Sequence, residues 1–385
     1  MSIISSTDLQ NLAQKNSPFA VSIYIPTHRF GKETIVGEDA IKLKNQLKEV
    51  RQSLLGLGKT ENEVKKYLQP AVDLLNSPMF WKNQSDGLAI FIAEDLFKIY
   101  QVPVRFEAFN YISNEFYLKP LMPYFNEDGK FYLLNLEVDN VLFYECDKHN
   151  VTKIDLSDEL PNQLEDVVGY DYEQKYLQKR TQQGNMGQGQ FHGHSDNDTD
   201  RKKELIKYFR KIDKVIVNVM NESGEAPLVV ACSDFHFGLY KKVNSWHKLY
   251  AKNITQTMKN NDVFLLHEQA CIILKPIFAA KKNEKLETFM ELQGTGKSSK
   301  DIHQIIPAAF NGQVDALFIE NKADVFGKFN PKDQTVKVSD QRTRENRSLL
   351  NFAATQVMLN GGKVYLLDKE NMPNKKSKIN ALYRY

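Results

Sequence analysis

Apolar positions in the first third of the chain follow two different spacings. Val21–Ile25 is a short β-branched and aromatic run stopped by Pro26, the pattern of a strand. Ala40, Leu43, Leu47, Val50, Leu54 and Leu57 then recur every three or four residues, the apolar stripe of an amphipathic helix. Lys42, Lys44, Lys48 and Arg51 fall off that stripe, and Gly58 supplies its stop. Thr60 with Glu63 makes a capping-box pattern ahead of Val64, Leu68, Ala71 and Leu75, predicting a second helix that ends before Pro78. Leu88–Ala93 and Lys98–Val104 read as strands, the first opened by an Asp86-Gly87 turn.

A turn cluster at Asn126-Glu127-Asp128-Gly129 marks the first expected boundary. Beyond it Phe131–Val138, Val141–Cys146 and Val151–Leu156 are strands joined by short turns, an antiparallel meander. A long polar segment, a helix and the apolar strand Leu228–Cys232 follow. Three strands, helix, strand, helix is an order compatible with an RNase H-like layout, one that many α+β folds share.

From about Asn261 the elements alternate. Val263–Leu266 and Ala270–Leu274 look strand-like, and helices are expected over Lys285–Leu292 and Asp301–Phe310. Val314–Ile319 is a buried-strand run, Ser348–Leu359 a helix closed by Gly361-Gly362, and Lys363–Leu367 the final strand. The expectation is an α/β protein of three domains: an α/β domain at 1–126, an α+β, RNase H-like domain at 127–260, and an α/β/α sandwich at 261–385.

Composition narrows the function classes only slightly. Of 385 residues 42% are hydrophobic and 26% charged, the profile of a folded chain. No stretch approaches the roughly 20 apolar residues that span a bilayer, and the first residues lack a signal pattern, so the expected compartment is the cytoplasm. Cys146, Cys232 and Cys271 lie far apart with no C-x-x-C, which indicates neither a disulfide framework nor a cysteine zinc site. Lys plus Arg exceed Asp plus Glu only by 51 to 48, so any basic surface is local.

That local surface is found in the middle of the chain. Residues 182–194 hold four glycines and four glutamines in thirteen positions, too little apolar matter to build a core. Glycine allows close approach to the backbone, and glutamine offers donor and acceptor without charge. Such a segment is either an exposed probe or a linker. Next, between Arg201 and Lys214, come Arg201, Lys202, Lys203, Lys207, Arg210, Lys211 and Lys214, against Glu204 and Asp213. Leu205, Phe209, Ile212, Ile216 and Val219 would be the buried stripe of this helix, leaving Lys203, Lys207, Arg210 and Lys214 on another face. Lys175, Lys179 and Arg180 extend the basic character upstream. A basic stripe at the base of a flexible uncharged loop suits phosphate-rich surroundings; a solvated lysine face is the alternative.

Gly187-Gln188-Gly189-Gln190 followed by the basic helix resembles the Gly-Gly-Gln loop and helix in the middle domain of archaeal and eukaryotic class-1 peptide release factors and Pelota. Val21-Ser22-Ile23-Tyr24-Ile25-Pro26-Thr27-His28-Arg29 and Pro307-Ala308-Ala309-Phe310-Asn311-Gly312-Gln313-Val314 resemble the same superfamily. So do Leu349-Leu350-Asn351-Phe352-Ala353-Ala354, Gly361-Gly362-Lys363-Val364-Tyr365 and the end Ala381-Leu382-Tyr383-Arg384-Tyr385. The chain is therefore similar to the bacterial release factor-like relatives of that superfamily.

The resemblance implies three α/β domains, an RNase H-like middle one, and a ribosome-binding factor acting in stalling, rescue or hibernation. It implies the ribosome, ribosomal RNA and tRNA as partners, with a translational GTPase for delivery, and neither cofactor nor membrane. In true release factors the loop positions water against the peptidyl-tRNA ester, and the glutamine's backbone amide stabilises the developing oxyanion. Here the Gly-Gly-Gln triplet is absent. Gly187, Gln188, Gly189 and Gln190 would be catalytic only if hydrolysis survives that departure; Lys179, Arg180 and the seven cations of 201–214 would meet RNA.

Other chemistry is less well supported. His192-Gly193-His194 with Asp196, Asp198 and Asp200 has ligand types for a divalent metal in a metal-dependent hydrolase, against a hydrated polar loop. Gly294-Thr295-Gly296-Lys297-Ser298 resembles a P-loop but has Glu291 where Walker A needs its first glycine. Asp234-Phe235-His236 reads more simply as a helix cap at Asp234 than as an acid–base pair. Glu137, Asp139 and Glu145 on the meander are strand-face charges rather than a two-metal nuclease cluster.

Overall fold

A computed structural model describes residues 4–29, 37–82, 84–126, 129–138, 140–148, 150–156, 159–160, 194–255, 263–343 and 346–385; of 194–200 it describes the backbone alone. The chain is mixed α/β and forms two compact units, Met1–Asn126 with Ala280–Tyr385, and Glu127–Ala279.

In the first segment α1 (Ser6–Gln14) leads into β1 (Asn16–Pro26), α2 (Glu38–Gly56), α3 (Glu61–Leu75) and α4 (Pro78–Lys82). Strands β2 (Gly87–Ala93), β3 (Leu96–Val102) and β4 (Phe109–Glu115) complete an antiparallel sheet in the order β3-β2-β1-β4, and α5 (Met122–Phe125) follows. Thr60 and Glu63 form the expected capping box of α3. Strand alternation sends Val21, Ile23, Ile25, Leu88, Ile90 and Ile92 into a core with Leu43, Leu47, Val50, Leu54, Val64 and Leu68 of α2 and α3. Ala20, Tyr24, Ala89, Phe91 and Ala93 enter a second core. Both faces are covered, which is why these strands read as continuous apolar runs rather than alternating ones.

The other unit opens with β5 (Phe131–Glu137), β6 (Asn140–Cys146) and β7 (Val151–Ile154), the antiparallel meander read from the sequence. Helix α6 (His194–Ser223) returns the chain to β8 (Leu228–Ala231), which pairs parallel with β5, giving the order β7-β6-β5-β8. Helix α7 (Asp234–Tyr240) follows, and parallel bridges Leu228–Leu249 and Ala231–Ile254 extend the order beyond β8. Tyr132, Leu134, Phe143, Leu228 and Val230 face α6 and α7. Phe131, Leu133, Tyr144, Val229 and Ala231 face Leu266, Ala270 and Leu274 of the next helix. The unit thus has three layers, helix on both faces of the sheet.

That next helix, α8 (Val263–Glu291), corrects the reading of Val263–Leu266 and Ala270–Leu274 as strands. Short apolar runs look alike in a strand and in a helix, and the apolar positions the helix buries there are 266, 270 and 274. As one helix it is also long and apolar enough to cross a membrane by length and composition, contrary to the expectation that no stretch is. Its later turns, with Leu286 and Phe289, pack in the first unit.

The last segment carries β9 (Ser298–Ser299), α9 (Ile302–Phe310), β10 (Val314–Glu320), β11 (Phe326–Asn330), β12 (Thr335–Ser339) and β13 (Arg347–Ser348). Helix α10 (Leu349–Leu359), β14 (Lys363–Leu367) and β15 (Ile379–Tyr383) complete it. The sheet order is β14-β10-β15-β9, with β10 parallel to β14 and antiparallel to β15. Lys363–Leu367 is therefore not the final strand: β15 lies beyond it. Gly361, at φ 73°, closes α10 in the left-handed region that suits glycine. Strands β11 and β12 escaped the sequence reading because their exposed lysines and asparagine mask a half-buried pattern.

This partition differs from three successive domains. Ile305, Leu317, Leu349, Leu350 and Ala353 share a single core with Tyr24, Phe91, Phe116 and Leu118. Buried Asn351 accepts from the backbone N–H of Leu118 (2.7 Å) and Lys119 (2.9 Å) and donates to the Phe116 carbonyl (3.1 Å). The side chain of Asn126 bonds both backbone groups of Val364. An unpaired amide at either buried site would be costly, so these bonds fix the two segments as one body.

Candidate functional site

The residues singled out by the sequence converge on α6. Leu205, Phe209, Ile212 and Ile216 are buried as expected, joined by Tyr208 and Met220, while Val219 is half-buried. Arg201, Lys202, Lys203, Lys207, Arg210, Lys211 and Lys214 are all exposed. At 3.6 residues per turn, Lys203, Lys207, Arg210 and Lys214 fall on one face.

Asp213 does not oppose these charges at the surface. It is 3% exposed and accepts from the Tyr240 hydroxyl (2.8 Å), the Ser245 N–H (2.9 Å) and the Ser245 hydroxyl (2.7 Å). Burial, then the Asp213 charge, pushes the Tyr240 hydroxyl well above its ordinary pKa and keeps it a donor. Of the two acidic residues counted between 201 and 214, only half-buried Glu204 remains near the basic face. Spacing carried this signal, since Asp213 falls four residues after Phe209 and three before Ile216.

The amino-terminal part of α6 meets the start of α7. The Tyr208 hydroxyl donates to the Val138 carbonyl (3.2 Å), holding the helix beside the carboxyl end of β5. Ser233, not Asp234, caps α7: its hydroxyl accepts from the His236 N–H (3.3 Å), and Asp234 sits in the first turn. Asn253 donates to the Cys232 carbonyl (2.9 Å) and to Asp234 (3.0 Å). The Lys202 ammonium lies 6.0 Å from the centre of the half-exposed Phe235 ring. Burial, then Arg201, lowers the pKa of His236, so its neutral form is favoured. These groups gather at the carboxyl ends of the parallel pair β5 and β8, where α/β sheets commonly take ligands. Sequence reasoning missed Tyr208, Asp213 and the Lys202–Phe235 pair.

Gly187, Gln188, Gly189, Gln190, Lys179, Arg180 and His192 lie outside the described residues, as do the side chains of His194, Asp196, Asp198 and Asp200. Among the described residues no group of three or more His, Cys, Asp or Glu could hold a metal ion. Glu145 forms an ion pair with Lys130 (2.7 Å), a strand-face role.

Residues 131–276 match the model of bacterial archaeo-eukaryotic release factor family 7, the family that the sequence resembles. The chain is similar to the crystal structure of an archaeal translation termination factor, aRF1, at 14% identity over 100% of this chain and 99% of that one (TM-score 0.24). It is also similar to Archaeoglobus fulgidus Pelota at 10% identity over 100% and 94% (TM-score 0.35). Dom34 of S. cerevisiae, described as a translation termination-like factor, is 12% identical over 76% and 74% (TM-score 0.32). No curated protein matches.

Proposed function

We propose that this chain is a release factor- and Pelota-like translation factor of the cytoplasm that occupies the ribosome in stalling, rescue or hibernation. On this reading the exposed face of α6 meets ribosomal RNA phosphates, with Lys179 and Arg180 extending that surface. The Gly/Gln segment 182–194 reaches toward the peptidyl-transferase centre, and tRNA and a translational GTPase are further partners. The observation that carries the reading is a set of seven exposed cations on a helix whose Asp213 carboxylate is turned inward, within the segment that matches the family. Phosphate neutralisation is sequence-independent and falls steeply with salt.

Co-sedimentation with 70S ribosomes across a salt series tests it. Binding is expected to weaken steeply as salt rises. Lys203→Ala with Lys207→Ala should flatten the log–log slope by about 0.7–0.9 for each phosphate left without its cation. An unchanged slope, or no binding at low salt, would sink the proposal. The missing Gly-Gly-Gln triplet favours occupancy without hydrolysis, so loaded ribosomes should keep their peptide. Release that is abolished by Gln188→Ala or Gln190→Ala would instead make the chain an active peptidyl-tRNA hydrolase.

A further inference from the structure

The unit formed by the first and last segments has a cavity of about 600 Å³, within the range usual for small-molecule sites. Its place in the fold is informative. The turn 321–324 and Leu366, which line it, lie at the carboxyl ends of β10 and β14, the parallel pair of that sheet. Open α/β sheets take their ligands at such ends. The opposite wall comes from the β3–β4 connection and the stretch after β4.

That wall is aromatic: Phe106, Phe109, Tyr111 and Tyr117. Tyr111 and Tyr117 stack at 4.4 Å between ring centres, and the Arg342 guanidinium covers Tyr111 at 3.9 Å. Together the rings give that side of the cavity an apolar, aromatic surface. Polar groups of both kinds reach the same cavity. Lys119, only 3% exposed, donates to the carbonyls of Asn321 (3.0 Å) and Ala323 (2.7 Å). Asp324 accepts from the Ser348 hydroxyl (2.5 Å) and the Val325 N–H (2.8 Å). At the rim, Arg105 is exposed, and Lys322 pairs with Glu107 (2.6 Å).

A purely hydrocarbon ligand would leave the exposed Arg105 at the rim unused, and a bare anion would leave the aromatic wall unused. A planar ring whose edge carries both donors and acceptors, joined to a phosphate, matches wall, lining and rim together. We infer that this cavity binds a nucleotide, with the base against the aromatic wall and the phosphate at Arg105. Free mononucleotide and an unpaired nucleotide of an RNA strand present the same chemistry.

Calorimetric titration of the full chain separates them. The probes are AMP, GMP, CMP and UMP, their nucleosides, inorganic phosphate, and a labelled single-stranded oligoribonucleotide. Saturable binding of a mononucleotide identifies the free ligand, and binding of the oligoribonucleotide alone identifies the strand. Arg105→Ala, at an exposed site, should weaken the nucleotide about tenfold and leave its nucleoside unchanged, a loss of about 1.4 kcal/mol. Ala108→Trp, also exposed, should fill the cavity and remove binding while the thermal melt stays that of the wild type. Because the cationic face of α6 also attracts an oligoribonucleotide, strand binding supports the inference only if Ala108→Trp reduces it. No binding by any probe, or binding that survives Ala108→Trp, overturns it.

Discussion

Two buried charged side chains show how differently burial treats an ionisable group. Asp213 is ringed by three donors, so its carboxylate is satisfied where it lies. Lys119 donates to two neutral carbonyls, and burial pulls its pKa from the ordinary 10.5 down to about 8 against the opposing influence of Asp324. Between those two pH values the unfolded chain binds more protons at this site than the folded one, so stability rises with pH across that window. Urea unfolding between pH 8 and 10.5 should show that rise in the wild type, by at most about 3 kcal/mol. The rise should be missing in Lys119→Met, and a variant with the same pH slope as wild type would contradict the assignment.

At the scale of elements, α8 is the instructive case. Leu266, Ala270 and Leu274 recur every four residues and are buried, while Phe264, Leu265 and Ile272 between them are exposed. A strand would bury alternate residues instead. Leu274→Ala should therefore cost about 2–5 kcal/mol, as deletion of a core side chain does. Ile272→Ala should stay within about 0.5 kcal/mol. Chemical denaturation of the two variants checks the contrast, and equal losses would argue against the helical register. Helix α6 makes the same division between faces, but there the outward face is cationic and becomes the proposed RNA-binding surface.

At the scale of the molecule, the first and last segments complete each other's core. Tyr24, Phe91 and Phe116 pack with Leu317, Leu349 and Ala353, and Asn351 satisfies backbone groups of the other segment. A fragment of residues 1–126 alone would lose the 280–385 side chains that pack into this core and leave those backbone groups without Asn351. It is expected to melt without a cooperative transition, and co-expression with residues 280–385 should restore one. Near-ultraviolet circular dichroism through a thermal melt reads both outcomes, and cooperative unfolding of the lone fragment would show that its core is self-sufficient.

The amino-acid order by itself determined the local elements whose signals are local. The Thr60–Glu63 cap, the stripe at Leu43, Leu47, Val50 and Leu54, the meander from Phe131, and the cationic face of α6 all follow from periodicity and capping chemistry between near neighbours in the chain. Only the tertiary structure decided that α8 is one helix, that Tyr240 and Ser245 are the partners of Asp213, and that a strand follows Lys363–Leu367. The same holds for the aromatic cavity, whose walls come from residues about two hundred positions apart. The physical reason is common to all of these: burial and hydrogen bonding depend on which distant segment supplies the partner, and no local spacing encodes that choice.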